Sequence, residues 1–209
     1  MNLLKTIYLD YRRFCVSEQK DPIRVIFLTQ GFWAVFWYRL AHAVYYNFRF
    51  PVLRQVLMAF LYVMQKMMEI LTGVYLPARC TVGEGLFIGH FGNIIINIDA
   101  VIGKNCNISQ GMTIGITHGG KYPGVPVIGD RVYIGPNAII IGGIEVGCDA
   151  AIGAGAIVTK PVPPRAIVIG NPSKIISYKG SFEYIHYDGM QEDTERSASK
   201  LLAETPNTQ

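Results

Sequence analysis

Charge is scarce in this chain. Of its 209 residues, 16% are Asp, Glu, Lys or Arg, while half are apolar. That balance excludes a disordered protein. The 22 glycines follow no Gly-X-Y period, so a collagen-like chain is excluded as well. Cysteine is sparse: Cys15, Cys80, Cys106 and Cys148 match neither a CxxC pair nor a zinc-site spacing. Free thiols, a reducing cytoplasmic compartment and no metal are expected. Dense Lys/Arg runs and nucleic-acid motifs are missing, so no nucleic-acid partner is expected. No secretory signal is expected either, because Lys5, Asp10, Arg12 and Arg13 interrupt the first stretch. The most apolar segment, "PVLRQVLMAFLYVMQKMMEILTG", carries Arg54, Lys66 and Glu69, which argues against a spanning helix.

What charge there is lies unevenly. The net charge is +4, yet residues 1–80 hold ten Lys/Arg against four acids. The tail from Asp188 onward leans acidic. Residues 1–73 carry helical signals. Asp21-Pro22 is an N-cap followed by proline at the first helical position. "GFWAVFWYRLAHAVYYNF" and "VLRQVLMAFLYVMQKMMEIL" read as long helices separated by Pro51. Both are apolar around most of their circumference and should pack on other chains as well as their own.

From about Leu76 the period becomes six. Leu76, Val82 and Ile88 are followed by Ile96, Ile102, Ile108 and Ile114. Ile128, Ile134, Ile140, Val146, Ile152 and Val158 resume the series. Glycine often follows each anchor, and a small residue often stands two positions before it. This is a hexapeptide repeat, the mark of a parallel β-helix with one short strand and one turn per unit. The chain thus divides into a helical region at 1–73, a β-helix domain at 74–178 and a tail at 179–209. The period breaks twice. Two extra residues enter at "GLFIGHFGNIIIN", around His90, and "ITHGGKYPGVP" leaves the coil between Ile114 and Ile128. The two breaks are expected to lie side by side, because breaks in a regular repeat usually serve binding.

Three stretches then carry a resemblance: "GFWAVFWYRLAH", "IGHFGNIIIN" and "GGIEVGCDAAIGAGAIVTKPVPPRAIVIGNPSKII". Over roughly residues 20–180 the chain resembles the hexapeptide-repeat acyltransferases, in their serine acetyltransferase-like branch. The resemblance implies a left-handed parallel β-helix, acetyl-CoA as cosubstrate, and a homotrimer or dimer of trimers. His90 matches the general base of that branch. Gly89, Tyr75 and Val125 stand where serine enzymes keep an Asp, a second Asp and a second His. Asn93 replaces an expected glycine. On those departures the chain is more similar to acetyltransferases of surface-polysaccharide pathways.

The expected activity is therefore acetyl transfer from acetyl-CoA to a sugar hydroxyl of a cell-surface polysaccharide or its precursor. Serine O-acetylation and a non-catalytic β-helix scaffold are the alternatives. A neutral imidazole suits the general-base role near pH 7. No cysteine sits at a motif position, so direct attack without an acyl-enzyme is the simpler course. His118, on the excursion loop, is read as an acceptor contact or partner of the base. His42 and His186 carry no functional signal. Ala154 offers a small wall for a pantetheine arm. Thr159, Lys160 and Lys174 match positions that approach the CoA phosphates in related enzymes. Trp33, Trp37, Tyr38, Tyr45 and Tyr46, in the basic front end, suggest peripheral docking on the inner face of the membrane.

Overall fold

The computed structural model describes residues 2–18 and 21–204. Lys20, counted above with the basic front end, and residues 205–209 of the tail lie outside them. Four helices come first: α1 (Leu3–Glu18), α2 (Pro22–Leu28), α3 (Gln30–Asn47) and α4 (Pro51–Thr72). The Asp21 carboxylate accepts the Ile23 N–H at 2.8 Å, and Pro22 opens the first turn of α2 without needing an N–H. Helix α4 ends at Gly73, whose φ of 65° lets its N–H reach the Glu69 carbonyl at 2.7 Å.

The strands wind into a three-faced prism. One face holds β1 (Val74–Tyr75), β4 (Ile94–Ile96), β7 (Thr113–Gly115), β10 (Ile139–Ile141) and β13 (Ile157–Val158). The second holds β2 (Thr81–Val82), β5 (Val101–Ile102), β8 (Val127–Ile128) and β11 (Glu145–Val146). The third holds β3 (Phe87–Ile88), β6 (Asn107–Ile108), β9 (Tyr133–Ile134), β12 (Ala151–Ile152) and β14 (Ile167–Ile169), then antiparallel β15 (Lys174–Ser177). All other pairings are parallel and join one coil to the next. The six-residue anchors fill the axis: from Leu76 to Val158 each is at most 3% exposed. Burying each such side chain contributes about 1.5–3 kcal/mol.

The corners need left-handed backbone, and the sequence supplies it in columns. Gly85, Asn105, Arg131, Asp149 and Arg165 stack on one edge with φ between 54° and 77°. Each of the last four donates its N–H to the coil below, as Asn105 does to Glu84 at 2.9 Å and Arg131 to Lys104 at 2.7 Å. The strain of a side chain at positive φ is thereby offset by a backbone bond repeated in every coil.

The first coil has no coil beneath it, so its inner backbone groups lack ladder partners. Helix α3 supplies them. Arg39 donates to the carbonyls of Val82 and Gly83, each at 2.6 Å. Asp10 of α1 accepts from the N–H groups of Gly85 at 2.8 Å and Leu86 at 3.2 Å. The two side chains also pair with each other, Nε to Oδ2 at 2.6 Å, and both are 1% exposed. Tyr38 adds a bond from its hydroxyl to the Cys80 carbonyl at 2.9 Å and receives the Val82 N–H at 3.1 Å. The tail returns to lock α1 from the other side. Tyr184 stacks on Tyr133 at 4.7 Å, and Arg12 pairs with Asp188 at 2.7 Å. Tail helix α5 (Thr194–Glu204) follows. Asp10→Ala leaves a buried guanidinium unpaired and should cost about 3–5 kcal/mol. Urea unfolding checks this, with an unchanged midpoint ruling out the capping role.

Candidate functional site

Ile88 pairs with Ile108, and Ile96 pairs with Ile114. The lower segment therefore holds two more residues than the upper one over the same span. The surplus is absorbed between Gly89 and Asn93. Gly92 takes φ 109° and Asn93 φ 49°, a conformation asparagine tolerates better than other non-glycine residues. The resulting bulge turns His90 and Phe91 outward, and both are exposed. His90 stands at the mouth of a cavity of about 550 Å³, walled by Gln30, Phe87, Phe91, Asn107, Ser109 and Tyr133. Ser109 is the register mate of Gly89 one coil above.

Helix α3 reaches this cavity because Gly31 has no side chain. A Cβ there would lie 2.1 Å from the Ile88 carbonyl oxygen, so the helix start touches the strand that leads to His90. Behind two of the cavity walls lies Arg13, 1% exposed. It donates to Asn107 and Ser17 and sits 5.5 Å over the Phe87 ring. Among the described residues no carboxylate pairs with it. Burial lowers its pKa to about 10, which leaves it charged at neutral pH. A buried cation therefore stands behind the Phe87 and Asn107 walls. Sequence reasoning missed Arg13, Gln30 and Tyr133. Asn107 did leave a signal, a carboxamide standing beside an anchor.

The other predicted residues divide between two edges of the prism. The edge joining the third and first faces carries His90, Ala154 and, at its far end, Lys174, which pairs with Ile169. The edge joining the first and second faces carries Thr159, Lys160 and the excursion loop with His118. The expectation that the two breaks lie side by side is therefore corrected: within one chain they sit at different corners. The loop is a folded hairpin, closed by Thr117 and Gly124 and tied to the next coil by the Gly143 N–H on the Tyr122 carbonyl at 2.9 Å. Burial pushes the thiols of Cys80 and Cys106 up to about 12, so both stay protonated wall residues.

No protein-family model matches the chain. A serine acetyltransferase of Synechococcus elongatus is 32% identical over 85% of this chain and 70% of its own length. The chain belongs to the serine acetyltransferase family. A Neisseria gonorrhoeae serine acetyltransferase, solved with serine, superposes with a TM-score of 0.70 at 30% identity, covering 84% of this chain and 69% of that one. A Brucella abortus serine acetyltransferase, solved with coenzyme A, does so at 0.70 and 28% identity, covering 83% and 67%. The fold is accordingly the left-handed parallel β-helix with an N-terminal helical region. The protein is an acyltransferase that uses acetyl-CoA, and the scaffold alternative gives way.

Membership of the serine acetyltransferase family overturns the sugar acceptor and the polysaccharide pathway expected from sequence. That expectation rested on three missing side chains, and a missing contact for one acceptor builds none for another. The three positions have packing roles instead. Tyr75 lies with its ring centroid 5.2 Å from the Lys66 ammonium, and Val125 packs on the β-helix core. At Gly89 a Cβ would approach the Phe87 ring to 3.1 Å. The close approach at Gly31 yields a prediction. Gly31→Ala should cost about 1–3 kcal/mol by overpacking and lower turnover by shifting the strand before His90. Thermal melting and a CoA-release assay read both effects.

Proposed function

We propose that the protein transfers the acetyl group of acetyl-CoA to the hydroxyl of serine, with His90 as general base. The observation that carries this is the bulge, which spends two surplus residues to hold an imidazole out of the coil at a cavity mouth. The relatives' activity supplies the acceptor. Arg13, buried behind Phe87 and Asn107 with no carboxylate partner among the described residues, favours an acceptor with a carboxylate.

In the reaction, the His90 imidazole takes the hydroxyl proton as the hydroxyl oxygen attacks the thioester carbon. The carbonyl oxygen carries the negative charge of the tetrahedral intermediate, and backbone N–H groups of the coil turns serve it. Collapse breaks the C–S bond, and the imidazolium returns its proton to the departing CoA sulfur. Ala154 gives the pantetheine arm a small wall, and the neighbouring Gly155 leaves open space beside it. Thr159, Lys160 and Lys174 bind the nucleotide phosphates; both ammonium groups are exposed.

One chain places His90 and His118 on different edges, so the complete site takes one edge from each of two neighbours in a homotrimer. His118 then reaches the acceptor from the adjacent chain. Serine-dependent CoA release tests the acceptor, and no release with serine would remove it. His90→Ala should lower that rate by at least about 10²-fold while acetyl-CoA still binds; an unchanged rate would take His90 out of the mechanism. His90→Ala and His118→Ala chains, each inactive alone, should regain activity when refolded together. A mixture that stays inactive would return both histidines to one chain.

A further inference from the structure

The outward positions of the third face form one column. Phe87 pairs with Asn107, Asn107 with Tyr133, Tyr133 with Ala151, and Ala151 with Ile167. Each stands beside an inward anchor and so points away from the axis. Two of them are nonetheless buried: Asn107 is 8% exposed and Ala151 2%. The face is covered from both ends. Helix α1 lies over the lower end, where the Phe14 and Phe87 ring centroids are 5.0 Å apart. The returning tail lies over the upper end. There the Ser181 hydroxyl donates to the Arg131 carbonyl at 2.6 Å, and its N–H to the Asp149 carbonyl at 2.8 Å. Asn107 touches both covers, and it walls the His90 cavity together with Tyr133.

One tail residue holds both of these walls. The Tyr184 ring stacks on the Tyr133 ring at 4.7 Å and 24°. The Tyr184 carbonyl accepts from the Asn107 carboxamide at 2.7 Å. The other end of that carboxamide accepts from Arg13, so it is fixed at both ends. Tyr184 stands behind the walls rather than among them. It is itself clamped. Its N–H donates to the Ser181 carbonyl at 3.0 Å. The carbonyls of Phe182 and Ile185, on either side, both accept from Arg196 of α5, at 2.9 and 2.7 Å. Arg196 is 5% exposed and Ile185 is fully buried, yet Tyr184 is 48% exposed. A ring left half in water adds little to a core. What the stack does is close one side of Tyr133, so that this ring cannot swing away from the cavity.

We infer that Tyr184 is a positioning residue for the acceptor, holding Tyr133 and Asn107 in the wall shape that the acceptor binds. The inference rests on the serine reading above. The tail contacts named here fall on the wall and on the covers rather than on the bulge that carries His90. Wall shape therefore acts on acceptor binding, and its loss raises KM while leaving kcat. With the stack gone, acceptor binding must order the Tyr133 ring again. An aromatic pair corresponds to about three- to tenfold in an equilibrium constant.

Steady-state CoA release by the full chain tests this, with serine varied at saturating acetyl-CoA and then the reverse. Tyr184→Leu keeps apolar bulk and removes the ring plane. It should raise the KM for serine about three- to tenfold, with kcat and the KM for acetyl-CoA within about twofold of the unaltered chain. Tyr184→Phe keeps the ring and should keep the unaltered KM. A serine KM that does not move in Tyr184→Leu overturns the inference. So does an equal rise in both KM values, which marks a general loosening, or a rise in Tyr184→Phe as large as in Tyr184→Leu. Circular dichroism should match for all three chains, and loss of fold in Tyr184→Leu would make the ring a core residue and overturn the inference too. No release from the unaltered chain with serine overturns the acceptor reading and this inference with it. Release that is the same in the unaltered chain and in Tyr184→Leu overturns this inference alone.

Discussion

A β-helix satisfies each coil with the coil below, and the lowest coil has nothing below it. In this protein a helix takes that place. Tyr38 and Arg39 of α3 and Asp10 of α1 meet the carbonyls and N–H groups between Cys80 and Leu86. A buried ion pair is weak evidence of net stability, since desolvation offsets much of its attraction. Here its value is geometric. It sets α1 and α3 at one height and one angle against the prism, and the His90 cavity depends on that setting. Gln30 walls the cavity only because Gly31 lets α3 touch Ile88, and Arg13 stands behind it only because Asp10 anchors α1.

The site itself is a fault in an otherwise regular stack. Regular coils leave little room for a projecting side chain, since each residue is either an anchor, a turn or an outward strand position. Two surplus residues between matched anchors create a position with no duty in the ladder, and the imidazole occupies it. The cation behind the cavity walls is of the same kind. Arg13 donates to Asn107 and Ser17 and lies over aromatic rings, while its Nε has no hydrogen-bond partner among the described residues.

Much of this was readable in advance. The anchors from Leu76 to Val158 announce the β-helix because a six-residue period survives any tertiary context. The break at His90 was readable for the same reason, as a loss of register. Three things were not. The edge on which each break falls depends on where it sits within a three-unit coil, and the anchors alone do not mark the corner. Arg13 and Asn107 are 94 positions apart, and nothing local ties them. The covered side of α4 was hidden too, because its apolar residues surround the helix and only packing shows that Arg54 and Leu61 turn inward. The acceptor was misread from Gly89, Tyr75 and Val125: a Cβ at Gly89 would crowd Phe87, Tyr75 packs on Lys66, and Val125 packs on the core.

The columns of left-handed residues have a metric consequence. Because Asn105, Arg131, Asp149 and Arg165 each bond to the coil below, the rise from coil to coil cannot drift, and counting coils converts directly into distance. Ala154 stands on the same edge as His90 and three coils away, which is about 14 Å at the spacing of adjacent strands. The edge is a ruler. A linear molecule laid along it is measured against a rigid scale. A shorter or longer one would end at the wrong graduation.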